Sequence, residues 1–197
     1  KWPEKKYKTI YADPPWPERG GGKIKRGADR HYPLMRIEDI AALPVIDLAD
    51  PEGCHLYLWT TNNYLPAGLE VIKSWGFRYI TALTWCKDRI GLGQYFRGMT
   101  EHCLFAVRGK LPYKIIGGKR QQGETGFFAP KGRHSEKPEK MRQMIERVSY
   151  EPRIELFARQ TTPGWDAWGN EIQTEGNRDV EQADGGGGEN NHGQNHR

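Results

Sequence analysis

Short apolar runs alternate along this chain with segments in which apolar residues recur every three or four positions. The runs are rich in β-branched and aromatic residues, and they predict buried strands at 7–12, 55–59, 77–86, 102–107 and 153–158. The helical spacing predicts three helices, whose apolar faces are formed by Ile37, Ile40 and Ala41, by Leu65, Leu69 and Ile72, and by Met141, Met144, Ile145 and Val148.

The second predicted helix also carries start and stop signals. Asn62 or Asn63 is a candidate cap, Pro66 suits the first turn, and Gly76 is a candidate terminator. Strands that alternate with helices predict an α/β protein with a mostly parallel, doubly wound sheet and helices on both of its faces. In such a sheet, ligands bind at the carboxyl ends of the strands.

Two stretches show no clear period. Residues 110–133 are basic and Gly-rich, and we expect a long flexible loop there. Residues 174–197 are acidic and rich in Gly and Asn, which predicts a disordered tail. The chain of 197 residues is therefore expected to comprise one domain, residues 1–173, followed by that tail.

Charge is distributed unevenly along the chain. The net charge is +5, but residues 174–197 hold two basic and five acidic side chains, so the body alone carries +8. A basic body with an acidic tail is typical of a protein that binds nucleic acid, although surface lysines and arginines alone are weak evidence.

The cysteines and the N-terminus limit the cellular setting. Cys54, Cys86 and Cys103 lie in apolar stretches without paired spacing, as in reduced proteins. Cys54 and His55 are neighbours on a predicted strand and should point to opposite faces, so we expect no metal site. No signal peptide or membrane-spanning run is found, and we expect a cytoplasmic protein.

The motif Asp13-Pro14-Pro15-Trp16 directly follows the first predicted strand. Consecutive prolines have no N–H and restrict the backbone, so we expect a stiff loop whose carbonyls are left unpaired. A planar group bearing an amine fits such a loop, with its ring stacked on Trp16 and its N–H groups bound by Asp13 and the Pro14 carbonyl. Adenine is such a group. The plainer interpretation is a turn that ends the strand.

Further stretches occur in a fixed order after this motif. They read HLYLWTTN at 55–62, TEHCL at 100–104, HSEKP at 134–138, IELFAR at 154–159 and WGNE at 168–171. With Asp13-Pro14-Pro15-Trp16, they resemble the MT-A70 family of S-adenosylmethionine-dependent N6-adenine methyltransferases. The resemblance implies a Rossmann-like methyltransferase fold in permuted order, with the catalytic half first and the cofactor half last.

The same resemblance implies roles for individual residues. It implies Asp13, Pro14, Pro15 and Trp16 as catalytic, and the acceptor pocket as Tyr32, Trp59, Glu101 and Lys137. Taken alone, Trp59 would be a core residue, Glu101 a surface residue and Lys137 a solvated lysine.

S-adenosylmethionine is the cofactor that the resemblance implies. The matching positions that would bind it are Asp13, Lys137, Arg159, Thr161, Thr162, Asn170 and Glu171. Glu171 replaces the Gln of the family pattern, which removes an amide donor and keeps an acceptor.

Basic loops flank the proposed site and are candidates for contacts with phosphates. They contribute Arg19, Lys23, Lys25, Arg26, Arg30, Lys119, Arg120 and Arg133. Binding through such residues would depend on salt and little on sequence. A duplex target would require the adenine to be flipped out.

We therefore expect an N6-adenine methyltransferase acting on nucleic acid. The compactness of the chain favours DNA over RNA. One alternative is a catalytically silent subunit that binds nucleic acid beside an active partner, and another is a methyltransferase for an amine outside nucleic acid. No membrane partner is expected, and a homodimer or a related subunit stays open.

Overall fold

The computed structural model of the protein describes residues 1–17, 33–133, 136–170 and 172. Nine strands are described: β1 Thr9–Ala12, β2 Gly53–Thr60, β3 Arg78–Cys86, β4 Thr100–Gly109, β5 Ile115–Ile116, β6 Lys119–Arg120, β7 Gly126–Phe128, β8 Arg153–Leu156 and β9 Asp166–Trp168. Three α-helices accompany them: α1 Ile37–Ala41, α2 Leu65–Ser74 and α3 Glu139–Val148. Within the described ranges, none of the helices is both long and apolar enough to cross a membrane.

Seven strands form one sheet in the order β7-β3-β4-β2-β1-β8-β9. β1 runs parallel to β2 and β8, β9 runs parallel to β8, and β7 runs parallel to β3. β4 is antiparallel to both of its neighbours, β2 and β3. The carboxyl ends of the six other strands and the start of β4 therefore lie along one edge, which we call the strand-end edge. The predicted α/β class with a mostly parallel sheet is confirmed.

The two faces of the sheet contain different cores because successive side chains of a strand point to opposite sides. On the face covered by α1 and α2, the aliphatic face, lie Ile10, Leu56, Leu58, Leu104 and Ile72. On the face covered by α3, the aromatic face, lie Tyr11, Tyr57, Trp59, Trp85, Phe127, Trp165 and Met141.

The structure corrects the predicted details of α2. No side chain caps it, because residues Asn62–Tyr64 form a 3-10 turn and Tyr64 occupies the cap position. Its buried residues include Gly68, Val71 and Ile72, whereas Leu69 is exposed. Gly76 does end the helical segment, with a left-handed φ of 78° that glycine adopts without strain.

The prediction of a flexible loop at 110–133 is also wrong in part. The segment contains the β5–β6 hairpin, and β7 joins the edge of the main sheet beside β3. Phe127 is the one buried residue of β7, and it packs into the aromatic core. β9 was not predicted because three residues are too few for a period. The tail predicted at 174–197 lies outside the described residues.

Candidate active site

Four charged side chains meet at the strand-end edge: Asp13, Lys87, Glu101 and Lys137. Asp13 comes two residues after Tyr11, and Lys87 two residues after Trp85. Glu101 pairs with Trp85 across β3 and β4. Since Tyr11 and Trp85 both belong to the aromatic core, the alternation of side chains directs these three charged groups toward the aromatic face. Lys137 precedes α3, which covers the same face.

The four groups form a continuous ionic chain. The Nζ atom of Lys137 lies 3.2 Å from Oδ2 of Asp13 and 3.3 Å from Oε1 of Glu101. The other carboxylate oxygen of Glu101 lies 2.7 Å from Nζ of Lys87. Two cations thus alternate with two carboxylates, and Lys137 bridges both acids.

Partial burial makes these contacts stronger than surface ion pairs. The side chains of Lys137 and Glu101 are 16% and 15% exposed, and that of Asp13 is 27% exposed. Charges interact more strongly in such surroundings than in water, because the effective dielectric constant is lower. Of the two acids in the ionic chain, Asp13 is the more open to a ligand.

The two carboxyl groups differ in their acidity. Burial raises the pKa of Asp13; the charge of Lys137 lowers it and that of Glu101 raises it again, so that the pKa stays above its ordinary value. Burial also raises the pKa of Glu101, but Lys137 and Lys87 lower it by more. Burial lowers the pKa of Lys137, and its two acidic partners raise it by more. Lys137 and Glu101 are therefore fixed charges, while Asp13 is the group closest to titrating.

Aromatic rings lie beneath the two lysines. Nζ of Lys137 is 5.3 Å from the ring centre of Trp59, and Nζ of Lys87 is 4.9 Å from that of Trp85. Trp59 is 1% exposed, and its indole N–H donates to the hydroxyl of Tyr11 at 2.7 Å. Trp59, predicted to contact substrate, is thus a core residue that supports Lys137 from below.

The Pro-Pro turn differs from the expected row of unpaired carbonyls. The Pro14 carbonyl accepts the backbone N–H of Trp16 at 2.9 Å, and the Pro15 carbonyl accepts that of Met35 at 3.0 Å. The prediction did not consider the N–H of Trp16, which folds back across the turn. It also could not locate the N–H of Met35, because this residue is distant from the motif in sequence. Each carbonyl oxygen keeps a second lone pair for a ligand.

Trp16 is held on one side by the protein itself. Its ring is stacked on that of Tyr64, with the centres 5.7 Å apart and the planes 11° from parallel. Its indole N–H donates to the Trp59 carbonyl at 2.9 Å, and the hydroxyl of Tyr64 donates to the Pro17 carbonyl. Trp16 is therefore a fixed wall beside Asp13 that has at most one ring face for a base.

Comparison with known proteins shows the family of the chain. The family model described as MT-A70 matches residues 7–171. The chain belongs to the MT-A70 family. The type II methyltransferase M.MunI of Mycoplasma sp is 33% identical over 191 residues, covering 86% of this chain and 79% of that protein. The predicted family is confirmed.

Members from animals are similar over a shorter share of their own length. The N(6)-adenosine-methyltransferase catalytic subunit METTL3 of Homo sapiens is 29% identical over 183 residues, which cover 85% of this chain and 28% of METTL3. The MT-A70-like N(6)-adenosine-methyltransferase of Drosophila melanogaster is 30% identical over 182 residues, covering 85% of this chain and 27% of that protein. The chain thus spans about a quarter of the length of these relatives. The predicted enzyme class, an N6-adenine methyltransferase, is confirmed at the level of the family.

The ends of β8 and β9 lie at the same strand-end edge as the end of β1. Phe157 follows β8 with a left-handed φ of 60°, which turns the chain at the strand-end edge. A β-carbon at Gly169 would lie 2.8 Å from the backbone nitrogen of Ala158, so a glycine is needed where the two segments pack together.

The polar residues that are expected to bind the cofactor come shortly after β8 and β9 in the sequence. Arg159, Thr161 and Asn170 are exposed, and Thr162 is half-buried, with its carbonyl accepting the N–H of Trp165 at 3.1 Å. The positive charge of Arg159 opposes the rise in the pKa of Asp13, so Arg159 belongs to the same electrostatic environment. The structure thus brings the β8 and β9 ends to the edge that carries Asp13.

The other predicted residues are distributed differently. Lys119 and Arg120, predicted to flank the site, lie on the β5–β6 hairpin. The N–H of Lys114, just before this hairpin, donates to the carbonyl of Val148. Val148 ends α3, so the hairpin starts at the end of this helix that is distant from Lys137. The backbone N–H of Arg133 donates to Glu136. The remaining predicted residues lie outside the described part of the chain: Tyr32, Glu171, Arg19, Lys23, Lys25, Arg26 and Arg30.

Lys87 was not predicted, although it completes the ionic chain. A usable signal exists in the sequence, because Leu83, Trp85 and Lys87 are two residues apart and should share one face. What the sequence does not contain is the antiparallel pairing of β3 with β4, which places Glu101 opposite Trp85.

Proposed function

We propose that the protein transfers a methyl group from S-adenosylmethionine to the N6 amine of adenine in nucleic acid, with DNA as the favoured polymer. The observation that carries this proposal is the Asp13 carboxylate, which lies partly open at the strand-end edge and is held at 3.2 Å by Lys137. Family membership supplies the class of reaction, and Asp13 supplies the acceptor that this reaction requires.

The amine of adenine is a poor nucleophile because its lone pair is delocalised into the ring. Asp13 and the free lone pair of the Pro14 carbonyl are acceptors for its two N–H groups. Hydrogen bonds of this kind favour a pyramidal nitrogen and stabilise the positive charge that develops during transfer. Asp13 therefore acts by accepting hydrogen bonds in its ionised form, while holding the amine in line with the methyl group.

Lys137 and Glu101 keep this acceptor in its working state. Without a cation, burial and the nearby Glu101 would raise the pKa of Asp13 further. Lys137 opposes both influences and limits the rise in the pKa, and Glu101 anchors Lys137 from its other side at 3.3 Å. The positive charge is thus fixed beside Asp13 without neutralising its capacity to bind an amine.

The residues at the ends of β8 and β9 fit the proposed cofactor. Arg159, Thr161 and Asn170 are exposed donors that follow β8 and β9, suited to hydroxyl and carboxylate groups, and the charge of Arg159 acts on Asp13. The chemistry that the cofactor supplies is a methyl group activated by a sulfonium. In this proposal these residues orient the cofactor, and Asp13 orients the acceptor amine.

DNA is favoured over RNA because of the extent of the similarity. The match covers 79% of a type II methyltransferase but 28% of METTL3, which leaves most of METTL3 without a counterpart. The proposal therefore assigns DNA to this chain, because the type II methyltransferase is the more completely matched of the two relatives.

The test is transfer of labelled methyl from S-adenosylmethionine to single- and double-stranded DNA and RNA of matched sequence. Asp13→Asn should lower the rate by about 100-fold or more, comparable to removing one stabilising hydrogen-bond group elsewhere. The variant should fold at least as stably, since burial opposes the ionised form of Asp13.

The control is Asp166→Asn, which removes an acid at the start of β9, where its partners are Lys5 and Tyr7. It should leave transfer unchanged. Full turnover by Asp13→Asn would disprove the role of Asp13. Clean binding of nucleic acid without any transfer would instead indicate a non-catalytic subunit.

A further inference from the structure

The connection between β3 and β4, residues 87–99, exposes large apolar side chains at its tip. Tyr95 and Phe96 are each 92% exposed, and Leu92 is 86% exposed, the highest values for large apolar residues in the described ranges. Aromatic side chains are usually buried, because removing their surface from water is favourable. Adjacent exposed aromatics at one tip therefore indicate a surface that binds something.

The tip is an ordered structure that the backbone itself stabilises. The N–H of Lys87 donates to the carbonyl of Met99 at 2.8 Å, and Gly91 and Gly98 are joined by a 2.7 Å hydrogen bond. A β-carbon at Gly93 would collide with the carbonyl oxygen of Phe96, so this turn requires glycine. The backbone that carries the exposed rings is consequently held in place by its own hydrogen bonds.

A basic cavity lies beside the tip. Its volume is about 340 Å³, and Lys87, Arg89, Lys131 and the backbone of Gly91 and Gly98 line it. Two carboxylates lie close to this lining: Asp88, and Glu136, whose Oε2 is next to Gly132. Asp88 accepts the backbone N–H of Lys131 at 2.8 Å and lies 4.0 Å from the Arg89 guanidinium.

The cavity shares one residue with the ionic chain of the site. Lys87 lines the cavity and also contacts Glu101 at 2.7 Å, and Glu101 contacts Lys137. Glu101 and Lys137 would therefore lie between a ligand bound to Lys87 in the cavity and Asp13. That arrangement suits a polymer whose one unit is in the site and whose next units lie along the tip.

We propose that this surface, formed by Arg89, Lys131, Tyr95 and Phe96, binds the polynucleotide strand beside the target adenine. A backbone phosphate occupies the basic cavity, and neighbouring bases stack on Tyr95 and Phe96. Cations beside exposed rings fit a strand of nucleic acid, in which anionic phosphates alternate with flat bases. The identity of the central adenine rests on the proposed function; the binding of the strand does not.

The experiment measures binding without cofactor, by fluorescence anisotropy of labelled single-stranded DNA, single-stranded RNA and duplex DNA of one sequence. Tyr95→Ala/Phe96→Ala should weaken binding by about tenfold or more, since each stacked base contributes on this scale. Arg89→Gln should reduce the slope of log affinity against log salt by about 0.7–0.9, the loss of one phosphate contact.

Matched controls come from exposed residues away from the strand-end edge. Ile115→Ala/Ile116→Ala removes similar exposed apolar surface from the β5–β6 hairpin, and Arg78→Gln removes a cation at the start of β3. Both should bind as the wild type does. Thermal unfolding of every variant should match the wild type, because the replaced side chains are exposed.

Three outcomes separate the possibilities. Weaker binding with an unchanged sedimentation coefficient supports the proposal, even if no polymer is methylated and the proposed function fails. Unchanged affinity and salt slope in both variants would overturn it. A change in oligomeric state with unchanged affinity would also overturn it, and would assign the aromatic tip to contact between two copies of the chain.

Discussion

The two faces of the central sheet share their strands but have different chemistry. The aliphatic face, with residues such as Leu56 and Leu104, is packed against α1 and α2 and consists mostly of aliphatic side chains, with Tyr7, Trp75 and Phe77 as its buried rings. The aromatic face has polar groups at the ends of its rings, and these are bonded to one another. Examples are the indole of Trp59, which donates to Tyr11, and the hydroxyl of Tyr57, which meets Ser149 at 2.7 Å.

This difference explains why the ionic chain lies on the aromatic side. Ring faces attract cations, and Lys137, Lys87 and Arg142 all lie over rings of this face. Burial disfavours a charge unless partners compensate it, and aliphatic side chains offer none. One face therefore contributes mainly stability, and the other contributes stability together with the electrostatic environment of Asp13.

The largest loss of stability is expected from a cavity in the aliphatic face. Leu56→Ala should lower the free energy of unfolding by about 2–5 kcal/mol, because Leu56 is fully buried and its site cannot collapse completely. Denaturant titration measures the loss, and exposed Leu69→Ala should cost far less. Methyl transfer per folded molecule should be unchanged. A parallel loss of transfer would show that the aliphatic face also shapes the site.

A smaller loss of stability is expected from a single hydroxyl on the aromatic face. Tyr11→Phe leaves the buried indole N–H of Trp59 without its acceptor and should cost about 1–3 kcal/mol. Tyr57→Phe is the matched control, since Ser149 retains its 2.7 Å hydrogen bond to His55 and nothing is left unpaired. Equal unfolding free energies for the two variants would contradict the view that bonded polar tips hold this face together.

Much of this architecture follows from local patterns. The runs at 7–12 and 55–59 predicted β1 and β2, and the spacing of Met141, Met144 and Ile145 predicted α3 with its buried face. The Asp13 motif indicated the strand-end edge, because a loop after a parallel strand opens there. These inferences succeeded because each depends on the period or chemistry of a few consecutive residues.

Other features depend on pairing between distant segments and could not be read in this way. The reversed direction of β4 places Glu101 opposite Trp85 and within reach of Lys87, which no local spacing specifies. The pairing of the Pro15 carbonyl with Met35 is another such contact. Leu69 was predicted to lie on the buried face of α2 because its spacing from Leu65 and Ile72 is helical, but the buried residues are Gly68, Val71 and Ile72.

The smallest expected effect, a shift in pH dependence, probes the aromatic face most directly. If transfer requires ionised Asp13, its rate should fall on the acid side as Asp13 is protonated. Lys137 lowers the pKa of Asp13, so Lys137→Gln should raise that pKa and move the acid limb of the rate profile to higher pH. Lys87→Gln removes a cation that contacts Glu101 and not Asp13, and it should move the limb less. An acid limb that stays in place in Lys137→Gln would mean that Asp13 is not the titrating group, and the electrostatic role assigned to this face would have to be withdrawn.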